Sequence, residues 1–160
     1  MVWARITLDK KTPLVFVHRS VKINAEVYQE KILRDVLLPW VAENFVSGQC
    51  VLQQDCAPAH PARSTLALCE SHFPGYWTKD FWPPYSPDLN PMDFAVWGGY
   101  LKQKVSSKSH QSLSALKAPL QKAWDDIDVT FLRPTVMSVE KKLKACIAAE
   151  GAHFEHLSSE

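Results

Sequence analysis

The sequence predicts a mixed α/β architecture: a small sheet flanked by helices, with a helical C-terminal third. Three observations point there. Two short β-rich runs, residues 2–8 and 13–18, open the chain, and an apolar strand-like run at 50–54 follows a helical stretch. The C-terminal third carries apolar residues at helical spacing only. The resulting order is β, β, α, β, α, β and then helices, which is a layered α/β pattern.

Each element has a local cause. The polar Asp9-Lys10-Lys11-Thr12 between the first two runs makes a hairpin the natural reading. Asn24 is suited to cap a helix beginning near Ala25. In that helix Tyr28, Ile32, Leu33, Val36, Leu37 and Trp40 recur at helical spacing, and Pro39 is expected to kink or interrupt it. Ser47-Gly48 turns the chain into the run at 50–54. A helix over 61–71 follows, with Pro61 suited to its first turn. Residues 76–82 are aromatic-rich and strand-like. A proline-stiffened loop from Pro83 to Asp93 then enters a helix over 91–105. Helices over 112–126 and 136–150 close the pattern. Val139, Leu143, Cys146 and Ile147 are expected to form the buried stripe of the last one, and Gly151 to take its C′ position.

At 160 residues the chain has the length of one domain with a sizeable core. It divides into a sheet-and-helix part, 1–105, and C-terminal helices, 106–160. An apolar fraction of 46% and a charged fraction of 22% are those of a globular protein. The net charge of +1 gives no global attraction to nucleic acid. DNA contact must therefore come from local clusters, Lys102, Lys104 and Lys108 or Lys141, Lys142 and Lys144, which read equally well as solvated helix faces. Cys50, Cys56, Cys69 and Cys146 are irregularly spaced, which favours reduced thiols over a disulfide framework. The first residues lack the plan of a signal peptide, and no apolar run approaches the roughly 20 residues of a membrane helix, so no membrane partner is expected.

The chemistry concentrates in two carboxylates. Asp55 ends the run Val51-Leu52-Gln53-Gln54, and the carboxyl ends of strands in open α/β sheets are where ligands bind. Asp93 closes the proline loop at a helix start, where an acid also caps backbone N–H groups. Asp88, within Ser86-Pro87-Asp88, reads as a turn residue. Two carboxylates on rigid elements suit a pair of Mg²⁺ ions acting on a phosphodiester. Cys56, His60, Cys69 and His72 have a spacing that superficially suits zinc. Yet Cys69 and His72 end an amphipathic helix and Cys56 adjoins the acid motif, so chance proximity is the better account. Trp77, Trp82, Trp97 and Trp124 read as packing residues rather than base-stacking platforms.

Gln53-Gln54-Asp55-Cys56-Ala57-Pro58-Ala59-His60 resembles the second-aspartate motif of mariner-type transposases. Ser86-Pro87-Asp88-Leu89-Asn90-Pro91-Met92-Asp93 resembles their third-acid motif, and the 37 residues between Asp55 and Asp93 match the branch of that family ending in aspartate. The opening Met1-Val2-Trp3-Ala4, the stretch Thr12-Pro13-Leu14-Val15-Phe16-Val17 and Lys22-Ile23-Asn24-Ala25 also follow the family pattern. The resemblance implies a ribonuclease-H-like catalytic domain that cleaves DNA and joins the freed 3′-hydroxyl to a target, using Mg²⁺ or Mn²⁺. It implies Asp55 and Asp93 as two of three catalytic, metal-binding acids, and His60 as a phosphate-placing or orienting residue. Transposon ends and target DNA are the implied partners, a homo-oligomer the implied assembly, and the nucleus the implied location, or the cytoplasm for a non-functional relic.

The same resemblance sets expectations of loss. The family's first catalytic aspartate lies on a central strand upstream of residues 2–8, and its DNA-reading helices lie further upstream, so both are expected to be missing. Runs 2–8 and 13–18 would then be strands 2 and 3, and runs 50–54 and 76–82 strands 4 and 5, in two half-sheets without their shared neighbour. A marginal fold with exposed strand edges is expected. Neither Asp9 nor Glu140 is a good replacement for the missing acid. Catalysis by this chain alone is therefore not expected, and the alternative is a non-catalytic relic that binds DNA or interacts with a transposase.

Overall fold

The computed structural model describes residues 1–46, 48–77, 81–82, 86–106 and 112–150. The chain divides into two compact units, one of Met1–Ala4 and Thr12–Tyr85, the other of Arg5–Lys11 and Ser86–Glu160.

In the first unit, β1 (Val2–Trp3) and β2 (Val15–Phe16) pair antiparallel, with Val2 opposite Phe16 and Trp3 opposite Val15. The hairpin is the expected one, but its strands are much shorter than runs 2–8 and 13–18. Residues 5–11 leave the ladder because they are committed to the second unit, where only the single bridge Ile6–Lys11 remains.

The helical run that follows is α1 (Ala25–Tyr28), a π-type segment (Gln29–Leu37) and α2 (Leu38–Asn44). Asn24 Oδ1 accepts the Val27 N–H at 2.8 Å, the expected cap. Pro39 does not break the helix. It sits at the start of α2, and the Leu38 N–H reaches back five residues to the Leu33 carbonyl. The wider register just before the proline lets the helix continue past a residue with no N–H to give. Gly48 then takes φ +70°, the left-handed turn that glycine permits.

β3 (Val51–Leu52) and β4 (Gly75–Tyr76) pair in parallel, Val51 opposite Gly75 and Leu52 opposite Tyr76, joined through α3 (Arg63–His72). Gly75 permits the close pairing, since a Cβ there would lie 2.8 Å from Val51 Cγ2. Strand 76–82 is thus corrected to an earlier, shorter element. The Trp77 N–H still bonds the Leu52 carbonyl at 3.0 Å, and residues 78–80 lie outside the described residues. Pro61 is not in the first turn of its helix, because Ala62 holds the cap position. Among the described residues the strands form two separate two-stranded sheets, β1–β2 and β3–β4, the half-sheets expected from the sequence. Tyr28, Ile32, Leu33 and Leu37 on the helical run, Leu52 on β3 and Leu68, Cys69 and Phe73 beyond it build the core of this unit.

In the second unit, a 3₁₀ turn (Pro87–Leu89) leads into a π-type segment (Met92–Leu101) continued by α4 (Lys102–Ser106). α5 (Leu113–Asp125) is capped by Ser112, whose Oγ accepts the Ala115 N–H at 3.1 Å. Lys11 closes its other end. Its ammonium donates to the carbonyls of Trp124, Asp125 and Ile127 at 2.5, 2.8 and 2.5 Å, which satisfies acceptors that a helix end leaves open. This bond set is why residues 5–11 belong here. The buried interior comprises Val96, Leu101, Leu120, Trp124, Ile127 and Leu132, with Trp97 and Trp124 stacked at 6.3 Å.

α6 (Val129–Ala148) begins well before the expected 136. Asp128 Oδ1 accepts the N–H groups of Thr130 and Phe131, so the first turn is closed upstream of Pro134 and the proline is carried inside the helix. The expected stripe of Val139, Leu143, Cys146 and Ile147 is not buried. Ile147 is 76% exposed, Leu143 is exposed, and Leu132 alone is buried along α6. Helical spacing marks an apolar face but does not say what covers it. Glu150, after α6, is left-handed with φ 51°, and Gly151, expected at the C′ position, lies outside the described residues. None of the four cysteines is in a disulfide, and no helix among the described residues is long and apolar enough to cross a membrane.

Candidate active site

Asp55 lies three residues past Leu52, at the carboxyl end of the parallel pair, with its side chain about half exposed. A tight loop shapes its surroundings. Oδ1 accepts the Ala57 N–H at 3.0 Å, an Asx-type turn, and the His60 ring nitrogen Nδ1 lies 2.7 Å from the same oxygen. Because a carboxylate only accepts, Nδ1 carries the proton. Nδ1 also lies 3.0 Å from the Asp55 carbonyl oxygen, so one nitrogen addresses both backbone and side chain of the acid.

His60 is itself braced. Its ring packs on Tyr28 with centroids 4.5 Å apart, and the Tyr28 hydroxyl accepts from Gln54 Nε2 at 2.8 Å. Thr65 Oγ1, fully buried at the start of α3, donates to the Ala59 carbonyl at 2.9 Å and accepts from Gln29 Nε2 at 3.0 Å. The loop from Asp55 to His60 is therefore fastened to both neighbouring helices. Sequence reasoning named His60 but missed Tyr28, Gln54 and Thr65. Helical spacing marked Tyr28 as packing, Gln54 and Thr65 carried no such mark, and only the fold turns their polar atoms toward the loop.

Asp93, partly buried, is the second residue of its helical segment. Asn90 grips it from the N-terminal side: Nδ2 donates to Asp93 Oδ2 at 2.8 Å, Oδ1 accepts the Met92 N–H at 3.2 Å, and the Asn90 carbonyl accepts the Asp93 N–H at 2.9 Å. Asn90 was missed as well, although Asn-x-x-Asp has the spacing of a capping box. Five residues on, Gly98 leaves room that no other residue does. A Cβ there would sit 2.6 Å from the Asp93 carbonyl oxygen, closer than atoms in folded proteins approach.

The structure thus brings His60 to Asp55 and Asn90 to Asp93. Asp55 belongs to the first unit and Asp93 to the second. Lys102 and Lys104 are exposed on α4, with Lys104 over the Tyr100 ring at 5.5 Å, while Lys108 lies outside the described residues. Lys142 sits over Phe94 at 4.5 Å. Glu140 is exposed and paired with Lys144 at 2.6 Å, a hydrogen bond that holds its pKa below the ordinary value. Asp9 accepts from Thr7 Oγ1 at 3.2 Å within its turn. Among the described residues no three of His, Cys, Asp and Glu gather as a metal-binding group. Of the zinc candidates, Cys69 is buried in the core, His72 Nδ1 is engaged by the Leu68 carbonyl and Ser71 Oγ, and His60 Nδ1 is engaged by Asp55. As oxygen donors, half-exposed Asp55 and partly buried Asp93, each oriented by a hydrogen bond, fit the hard-ligand demand of Mg²⁺ or Mn²⁺.

Comparison with known proteins adds the following. The domain family described as DDE superfamily endonuclease matches residues 1–117. The transposase of transposable element Tc3 from Caenorhabditis elegans is 29% identical over 152 residues, covering 94% of this chain and 44% of that protein. The transposase of element Tc1 from the same organism is 28% identical over 154 residues, covering 94% of this chain and 52% of that protein. The chain spans about half the length of the curated relatives it matches. The catalytic domain of Mos1 transposase, solved with raltegravir and Mg, superposes with a TM-score of 0.77 at 19% identity over 96% of this chain and 75% of that one. The Mos1 transposase paired-end complex with left transposon end gives 0.80 at 20% identity, over 96% of this chain and 44% of that one. At such identities the likeness establishes the fold.

Proposed function

Because the chain belongs to the DDE superfamily of endonucleases, we propose that it is a DNA-cleaving domain of the Tc1/mariner transposase type, with Asp55 and Asp93 as metal-binding acids. The observation that carries this reading is the local fastening of each acid, Asp55 by His60 and the Ala57 N–H, Asp93 by Asn90. Preset orientation of this kind is what a metal-ligating carboxylate needs. Bound Mg²⁺ or Mn²⁺ supplies Lewis-acid activation of a water or hydroxyl and neutralises charge on the leaving oxygen. The chain's own residues do the positioning. His60 Nδ1–H fixes the Asp55 oxygen, and Asn90 Nδ2–H fixes that of Asp93. Lys102 and Lys104 supply positive charge toward a phosphate backbone.

A second reading is favoured by one observation, that no three acidic or other metal-ligating residues gather among the described residues. In it the 160-residue chain by itself binds DNA without cutting it, or associates with an intact transposase. One assay separates the two. Supercoiled plasmid is incubated with the chain and Mg²⁺ or Mn²⁺, and both retention and nicking are scored. Nicking that Asp55→Asn abolishes supports the catalytic reading. Salt-dependent retention without nicking supports the second. Neither retention nor nicking would reject both DNA readings for this chain.

A further inference from the structure

Three aromatic rings meet where β4 ends. Trp77, one residue beyond Tyr76, is held by its backbone bond to Leu52 yet leaves its indole 38% exposed. Phe81 is 67% exposed, with its ring 5.0 Å from that of Trp77. Trp82 is buried and stacks on Trp77 at 6.4 Å with the planes 19° apart. Trp77 thus contacts one buried ring, Trp82, and one exposed ring, Phe81. As the sequence suggests, Trp77 packs against its aromatic neighbours, yet it also stays partly exposed. Because β3 and β4 are parallel, the end that presents Trp77 is also the end from which Asp55 emerges.

We propose that Trp77 and Phe81 form a stacking platform for an unpaired nucleobase of the DNA strand presented to Asp55. The inference rests on the DNA reading above and deepens it by naming the ligand chemistry. Every base has a π face, so a flat exposed indole accepts one whatever its sequence. Within a duplex those faces are covered by neighbouring bases, so only an unpaired or extruded base can occupy the platform. Support from Trp82 means little side-chain freedom is lost when a base arrives.

The test uses the full 160-residue chain and two short labelled oligomers with the same backbone, an oligothymidylate and its abasic counterpart. Binding is read by fluorescence anisotropy, and each variant's fold is checked by circular dichroism. The chain is expected to bind the oligothymidylate about tenfold more tightly than the abasic strand, about 1.4 kcal/mol. Trp77→Ala and Phe81→Ala should each erode that preference and leave abasic binding unchanged, while Trp77→Phe should keep most of it. Phe81 is exposed enough that its variant tests the platform even if Trp77→Ala unfolds. A preference unaltered in Phe81→Ala and Trp77→Ala overturns the platform. Equal binding of both oligomers by the unsubstituted chain also overturns it, but leaves the DNA reading standing. Binding of neither overturns both. A loss of self-association in Trp77→Ala, with the base preference intact, would assign the rings to a protein interface instead.

Discussion

His60 Nδ1 lies 2.7 Å from Asp55 Oδ1, five residues back along a loop that also bonds the Ala57 N–H to the same oxygen. The histidine is therefore a positioning residue for the acid. Replacing it by alanine frees the carboxylate to rotate. His60→Ala is expected to weaken Mn²⁺ binding about 10- to 100-fold, the usual effect of removing a hydrogen-bonded support. Paramagnetic-resonance titration reads this directly. His60→Asn, which can still donate, should recover part of the loss. An affinity unchanged in both would remove His60 from the site.

Gly98 faces the Asp93 carbonyl from one π-type turn ahead. In an ordinary helix Gly→Ala stabilises by up to about 1 kcal/mol. Here the added Cβ must displace the Asp93 backbone, so Gly98→Ala is expected to have the opposite sign and destabilise by about 1 kcal/mol or more. Urea unfolding checks the sign. Stabilisation would show that the register at Asp93 is free to relax.

Lys11 satisfies three carbonyls at the end of α5. Burial lowers its pKa, against the pull of Asp125, Asp126 and Asp128, which raises it. Lys11→Met keeps the stem and removes the donor. It is expected to cost about 1–3 kcal/mol, because carbonyls that lose a donor remain partly shielded from water. Equilibrium unfolding measures it, and a variant as stable as the original chain would mean that water replaces the ammonium without loss.

Asp128 holds the start of α6, and its hydrogen bond from Thr130 Oγ1, followed by those from the Phe131 and Thr130 N–H groups, lowers its pKa below the ordinary carboxylate value. The folded state therefore favours the charged form. The stabilisation is present above the unfolded pKa and is lost as pH falls through the depressed folded value. Thermal unfolding followed downward from neutral pH should show this acid-side loss. Asp128→Asn, an uncharged cap, should flatten that part of the profile, and an unchanged profile would exclude Asp128 as its source.

Much of the fold is written in local chemistry. Asn24 and the polar turn at Asp9–Thr12 announced their elements because caps and turns are decided within a few residues. The two half-sheets followed from the motif-based ordering of strands. The start of the last helix, expected at 136, was placed too late because the Asp128 cap that opens it lies upstream of Pro134. The exposed face of α6 was illegible for a different reason: Val139 and Ile147 have the same spacing whether or not anything covers them. At the site, Asp55, Asp93 and His60 stood out by type and motif. The supports Tyr28, Gln54 and Thr65 did not, since burial of a polar atom against a distant loop leaves no local mark.

The central proposal is that Asp55 and Asp93 each serve as a ligand for divalent metal. Mn²⁺ titration of the 160-residue chain, compared with Asp55→Asn and Asp93→Asn, tests it most directly. The account predicts saturable binding in the original chain and its loss in both variants, with the fold retained. Binding identical in all three, or absent from the original chain, would contradict it.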